Sequence, residues 1–355
     1  MNKQLFARLT DVARAGDRPV DDDNAIRFLR RHSDEDAAFM SSADIQQRTV
    51  TQQIKICRLE AGEDVYFGVA GLPVPDVIPF GLAHASATPG LFLPTVLAFG
   101  SVLAADVSPT QIYDALNSDY RDNGEGYDGH DLVTVQGFFR PIEFYRSNGD
   151  AGFHDDIDRV LGAFVVASYF DGPLALHTDT RAALSNAFEG GPAILPYRNL
   201  VQGVLSISWE GLFLELYRCI EYLYAAKRVT ALRDVVATGL AAVELSRILE
   251  RELRWRARED EAIRGLIGGC DEAVVRTLCV AFGVAQEQPQ LDRLAVAVAD
   301  EVYALRNAIV HFRPFHETPD KTEDDWNAVI VALTVAALHL YGEVGRRYLS
   351  APEVA

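Results

Sequence analysis

Several familiar signatures are missing from the sequence, and each absence removes a class of function. Its four cysteines, Cys57, Cys219, Cys270 and Cys279, form no C-x-x-C pair and no Cys/His group at metal-ligand spacing. That argues against a disulfide framework or a zinc site and for reduced, mostly buried thiols in a cytosolic protein. The opening residues, Met1 to Arg8, contain no apolar stretch of the kind an export signal needs. The longest apolar run, Val329 to Tyr341, is interrupted by Thr334 and His339 and falls short of the roughly 20 residues that span a bilayer. A cytoplasmic protein with no membrane partner is expected. Gly68, Gly71, Gly124 and Gly126 make no phosphate loop, because Gly124-Glu-Gly-Tyr-Asp-Gly129 leads into strand-like sequence and not into a helix start. The serines lack a G-x-S-x-G elbow. A nucleoside triphosphatase is not indicated, and no cofactor is expected.

Basic residues are scarce as well: 33 Lys/Arg stand against 51 Asp/Glu, a net charge of −18. A general nucleic-acid coat protein is disfavoured, since sequence-independent affinity comes from cations neutralising phosphates. A local RNA site remains compatible with that balance. What is abundant is apolar surface: hydrophobic residues make up 49% of the chain and aromatics 10%, which excludes a disordered tail. A length of 355 residues predicts two domains at about 100–200 residues each.

Texture and charge place the boundary at Pro196. Residues 1–195 are rich in Gly and Pro and hold 15 Lys/Arg against 28 Asp/Glu, a net of −13. Residues 196–355 hold 18 against 23, a net of −5, in long stretches almost free of proline. Gly190-Gly-Pro-Ala-Ile-Leu-Pro196 reads as the linker, because its prolines forbid helix continuation.

The first part reads as an α+β domain. Arg48 to Leu59 is β-branched and largely alternating, and with Asp64 to Ala70 after Glu60-Ala-Gly-Glu63 it predicts a hairpin. Ser108-Pro109 starts a short helix. Leu132–Phe139 and Ile142–Arg146 are strand candidates; Asp155–Phe170 and Thr178–Phe188 are helix candidates, the latter capped by Thr178 or Asp179. The second part reads as an all-α bundle of five helices: Trp209–Arg228 capped by Ser208, Ala231–Arg258, Asp271–Phe282, Leu291–His311, and a last one from the capping box at Thr322 to about Leu349.

The most informative stretch is Tyr303-Ala-Leu-Arg-Asn-Ala-Ile-Val-His-Phe-Arg-Pro314, which puts Arg306, Asn307 and His311 near the end of a helix that Pro314 stops. Arg306 and His311 are about 140° apart on an ideal helix at roughly 100° per residue, so a shared site needs bending side chains or a distorted last turn. Such a pair is suited to phosphoryl transfer on RNA without a metal. The imidazole moves the proton of a 2′-hydroxyl or of the leaving 5′-oxygen, and the guanidinium fork holds the phosphate. The plain alternative is a basic pair that complements the helix dipole.

Arg306-Asn-Ala-Ile-Val-His311 resembles the Arg-x4–6-His motif of the HEPN superfamily, in which a polar residue such as Asn commonly follows the Arg. The context is similar too: an aromatic-rich first helix around Leu214–Tyr224, a second long helix, the motif near the end of a later helix, and a final long helix. The resemblance covers about residues 196–350. It implies a HEPN-like helical bundle that forms a homodimer, with two motifs facing each other across a cleft. It also implies metal-independent endoribonuclease activity in toxin–antitoxin, abortive-infection or CRISPR-associated defence systems, with an antitoxin or defence protein as partner. Carried over, His311 is the general acid or base, Arg306 the phosphate binder and Asn307 an orienting residue. Members that have lost catalysis keep binding or scaffold roles.

Other residues carry weaker signals. Arg251, Arg254 and Arg258, with Arg247 and Arg256, could follow an RNA backbone, but Glu244, Glu250, Glu252 and Glu259 are interspersed and favour a salt-bridged helix face. Trp255 among them could stack on a base or pack in the core. His316 could assist His311, though a loop histidine is the preferred reading, and Glu221 and Arg218 could line the same cleft, though solvated or ion-paired groups are preferred. His154-Asp155-Asp156-Ile-Asp158 is dense enough to suggest a metal, yet no second ligand group accompanies it, so a helix start is preferred.

Overall fold

A computed structural model of the chain describes residues 1–16, 26–30, 33–123, 127–149, 152–169, 172–286, 290–311 and 320–349. It divides into two compact units, Met1–Ile157 and Asp158–Ala355.

The first unit contains α1 (Asn2–Ala15), α2 (Asp34–Ser42), β1 (Asp44–Thr49), β2 (Lys55–Ala61), β3 (Asp64–Ala70), β4 (Leu82–Ala85), α3 (Pro89–Ala98), α4 (Pro109–Asn123), α5 (Leu132–Gln136) and β5 (Ile142–Ser147). The strands form one antiparallel sheet in the order β1-β2-β3-β5-β4. The expected hairpin is β2–β3: Ala61 pairs with Asp64 across a two-residue loop in which Gly62 takes a φ of 65°, the region such short loops demand. The alternating stretch Arg48–Leu59 is two strands and not one, because Ile54 N–H donates to Thr51 Oγ1 (2.9 Å) and turns the chain between β1 and β2. Cys57, Leu59 and Phe144 of the sheet pack in one core with Leu5 and Leu9 of α1 and with Leu91 and Phe92 of α3.

One strand candidate is overturned. Leu132–Phe139 begins as α5, because Asp131 accepts the Thr134 N–H (3.1 Å) and caps a helical turn that buries Leu132 and Val135 while Val133 stays 74% exposed. A buried spacing of three with an exposed neighbour is helical; β-branching alone misled.

The second unit is helical: α6 (from Ile157 to Ala167), α7 (Thr178–Gly190), α8 (Tyr197–Val204), α9 (Trp209–Glu221), α10 (Ala226–Val236), α11 (Ala242–Leu253), α12 (Glu259–Ile267), α13 (Glu272–Ala281), α14 (Leu291–Val310), α15 (Glu323–Leu340), a π turn at Tyr341–Gly345 and α16 (Arg346–Leu349). The boundary expected at Pro196 therefore moves, since 158–195 belongs with the helices. Buried Arg159 on α6 donates to the carbonyls of Phe188 (2.8 Å), Glu189 (3.0 Å) and Gly191 (3.0 Å) and lies over the Tyr197 ring. The glycine–proline stretch read as a linker is thus the docked connection between α7 and α8.

Two long helices are also shorter than expected. Ser208 caps α9 as predicted, accepting the Gly211 N–H (3.1 Å), but the helix ends at Glu221 and resumes at Ala226. The stretch Ala231–Arg258 breaks where Ala237 turns left-handed (φ 51°), two residues before Gly239, and ends at Arg254 (φ 53°).

α15 is the centre of this unit. It begins at the predicted capping box, Thr322 with Asp325, and packs against α7, α9 and α13. The helical run Glu323–Leu349 is long and apolar enough to cross a membrane by length and composition, and more than half of its most apolar window is buried inside the fold. α7 lacks the side-chain cap expected from Thr178 or Asp179. Its start is instead held by Asn327 of α15, whose Oδ1 accepts from His177 N–H (2.8 Å) and from the Thr180 hydroxyl (2.6 Å). The same side chain donates to the carbonyls of Ala175 and Glu323. Asn327→Ala strands the buried Thr180 hydroxyl and the part-buried His177 N–H and is expected to cost about 2 kcal/mol, read as a lower urea midpoint with an unchanged m-value.

Candidate functional site

The three motif residues lie at the end of α14, where the apolar face carrying Leu294, Val298, Val302 and Leu305 is buried and the opposite face is free to carry chemistry. Arg306 is the last long side chain on this helix and is only 17% exposed. Its Nη1 donates to Asn307 Oδ1 (3.0 Å), so the neighbouring amide orients the guanidinium. The guanidinium carbon stands 5.8 Å from the centre of the Tyr217 ring of α9, a cation–π contact.

Two carboxylates flank the same group. Glu221, the last residue of α9, approaches Nη2 at 3.7 Å, and Glu259, the first residue of α12, approaches Nη1 at 3.6 Å. Both distances are ion-pair distances beyond hydrogen-bond reach. Of the five N–H donors of the guanidinium, the Asn307 contact is the one hydrogen bond within the described residues. Tyr303, one turn earlier on α14, donates its hydroxyl to Glu259 Oε2 (3.4 Å). Beneath this layer Tyr217 and Tyr224 share a hydrogen bond between their hydroxyls.

His311 is the C-terminal cap of α14. Its N–H still donates to the Asn307 carbonyl (2.9 Å), but its own φ of −103° and ψ of 86° leave the helix. The last turn thus keeps its regular hydrogen bond as far as the His311 N–H, and the chain leaves the helix at His311 itself. His311 is exposed and has no hydrogen-bond or ion-pair partner among the described residues. Pro314 and His316 lie outside the described residues.

The basic cluster is mostly ion-paired. Arg251 binds Glu252, Arg256 binds Glu250, and Arg258 binds Asp260 and Glu261. Arg254 is exposed in the left-handed cap of α11, and Trp255 beside it is half-buried. Arg218 pairs with Glu215, so it does not join the Arg306 group. In the first unit His154 is buried, with Nδ1 against the Ser147 hydroxyl (2.6 Å) and Nε2 against the Phe80 carbonyl (3.0 Å). Burial holds this imidazole below its ordinary pKa, and Asp155 turns to Arg58 (3.8 Å). His154 anchors its loop through Ser147 and the Phe80 carbonyl, and among the described residues no group of three or more His, Cys, Asp or Glu has the geometry to hold a metal ion.

Sequence reasoning did not find Glu259, Tyr303 or Tyr217 as members of the site. Tyr303 stands at i−3 from Arg306, a spacing that places both on one helix face. Glu259 is 47 positions away in sequence and carries no local signal. Compared with family models, with curated proteins and with solved structures, the chain matches none.

The tyrosines beneath the site make stability depend on alkaline pH. Burial pushes Tyr217 up to about 12 against the opposing pull of the Tyr224 hydrogen bond and the Arg306 charge, and burial also raises Tyr224. A tyrosine whose pKa is raised by folding keeps its proton longer in the native state. Its stabilising contribution is complete below the unfolded value near 10 and is lost as pH climbs through the native value. Urea midpoints are expected to fall as pH rises from about 10 to about 12, and Tyr217→Phe should flatten part of that fall.

Proposed function

We propose that the helical unit is a HEPN-type endoribonuclease that needs no metal, acting as a cytoplasmic homodimer in a defence or toxin-like system, with an antitoxin or defence protein as partner. The observation that carries this reading is Arg306: a guanidinium mostly out of solvent, oriented by Asn307, with donors unspent among the described residues, five residues before an exposed imidazole that no described residue engages. A phosphodiester is the ligand that uses such a fork bidentately. His311 moves the proton and Arg306 holds the non-bridging oxygens as negative charge builds, leaving 2′,3′-cyclic phosphate and 5′-hydroxyl ends. Arg251, Arg254 and Arg258 extend the path of the strand, with Arg254 the least committed to a carboxylate. The sheet-containing first unit serves as sensor, inhibitor or recruiter.

One observation favours a second reading. Glu221 and Glu259 already compensate Arg306, so the group around it carries one negative charge more than it has positive. A non-catalytic HEPN dimerisation and RNA- or nucleotide-binding module is consistent with an arginine kept for structure.

RNA cleavage in EDTA separates the two. The wild type should release cyclic-phosphate ends, and His311→Ala and Arg306→Ala should each slow release by about 10²–10⁴-fold. Equal cleavage by all three removes the catalytic assignment, and an inert wild type whose partner binding survives His311→Ala favours the binding module.

A further inference from the structure

Cleaving RNA through its own 2′-hydroxyl takes two proton transfers in one displacement: a base accepts the 2′ proton and an acid gives one to the departing 5′-oxygen. His311 supplies one of these groups per motif. Building on the nuclease reading above, we infer that Glu259 is the second, the general base that takes the 2′-hydroxyl proton while His311 acts as the acid.

A phosphate seated on Arg306 has its ribose within the radius of the carboxylates that lie under 4 Å from the same guanidinium, and these are Glu221 and Glu259. A working base is also oriented by a third group. Glu259 meets that requirement, because its Oε2 takes the Tyr303 hydroxyl and faces Arg306 Nη1. Its other oxygen makes no hydrogen bond among the described residues and belongs to a side chain 42% exposed, so it is open to a substrate hydroxyl. Among the described residues Glu221 has its ion-pair contact with Arg306 Nη2 and no hydrogen bond to fix its direction.

Charge supports the same assignment. Two carboxylates and a phosphodiester around one guanidinium crowd negative charge. When the 2′ proton moves to Glu259, the carboxylate becomes neutral as the attacked phosphorus group gains a second negative charge, so negative charge passes to the atoms Arg306 grips and the total does not rise. The 2′-oxygen–phosphorus bond forms, the phosphorus–5′-oxygen bond breaks, and the imidazolium of His311 protonates that oxygen. Glu259 ends protonated and His311 neutral, and exchange with solvent restores both.

The test uses the full chain and two RNAs of one sequence, one ordinary and one with sulfur in place of the bridging 5′-oxygen, whose thiolate leaves without protonation. Glu259→Gln is expected to lose about 10²–10⁴-fold on both RNAs, whereas His311→Ala should lose as much on the ordinary RNA and regain most of it on the sulfur one. Glu259→Asp, which keeps the carboxylate one methylene short, should cleave faster than Glu259→Gln. Because Glu259 is half-exposed at a helix start, its variants should melt within a few degrees of wild type. Glu259→Gln cleaving ordinary RNA as fast as the wild type, or recovering on the sulfur RNA, overturns the assignment while leaving the nuclease reading intact. A wild type inert toward both RNAs overturns the nuclease reading and this assignment with it.

Discussion

The helical unit depends on one constraint: α15 is apolar around most of its circumference and must be enclosed. A helix with a single apolar stripe lies on a surface, but α15 buries Asn327, Ala332 and Thr334 to either side of its stripe of Trp326, Val329, Ile330, Leu333, Ala336, Ala337 and Leu340, an arc of about 220° at about 100° per residue. The chain surrounds it with α7, α9 and α13. Enclosure makes the polar residue on this helix consequential. Asn327, buried with Trp326, satisfies all its hydrogen-bonding capacity by gripping the start of α7 and the segment before it, so the same helix that supplies apolar mass also sets where its neighbour begins.

Packing around α15 also fixes the floor of the candidate site. Trp209 and Phe213 of α9 lie against Trp326, which holds α9 in register and brings Tyr217 under Arg306. α14 then presents Arg306 over that ring, and α12 adds Glu259 from the other side. Three helices separated widely in sequence converge on one guanidinium. Because the group is mostly removed from water, the unspent donors and flanking carboxylates matter more than they would on an open surface, where ion pairs contribute about 0–1 kcal/mol.

Much of the architecture was legible. Strand alternation and a Gly-containing two-residue loop located β2–β3, and Ser208 and Thr322 marked helix starts because a side chain three residues before an N–H is a local device. Legibility failed where the deciding partner was distant. α7 has no cap of its own because Asn327 supplies one from 150 positions away. The Gly190–Pro196 stretch looks like a linker until Arg159 is seen holding the carbonyl of Gly191 and those of Phe188 and Glu189 just before it. Leu132–Phe139 is β-branched, yet Asp131 and one-sided burial make its first turn helical.

The sequence by itself determined the sheet-bearing first half and the helical second half, the helix starts marked by Ser108, Ser208 and Thr322, and the placement of Arg306, Asn307 and His311 at the end of one helix. These follow from periodicity and capping, which act within a few residues. Tertiary structure alone decided that 158–195 joins the helices and that Arg306 sits between Glu221 and Glu259 above Tyr217. Burial and ion pairing act through space, so neither the company a side chain keeps nor the water it loses is written in its neighbours along the chain.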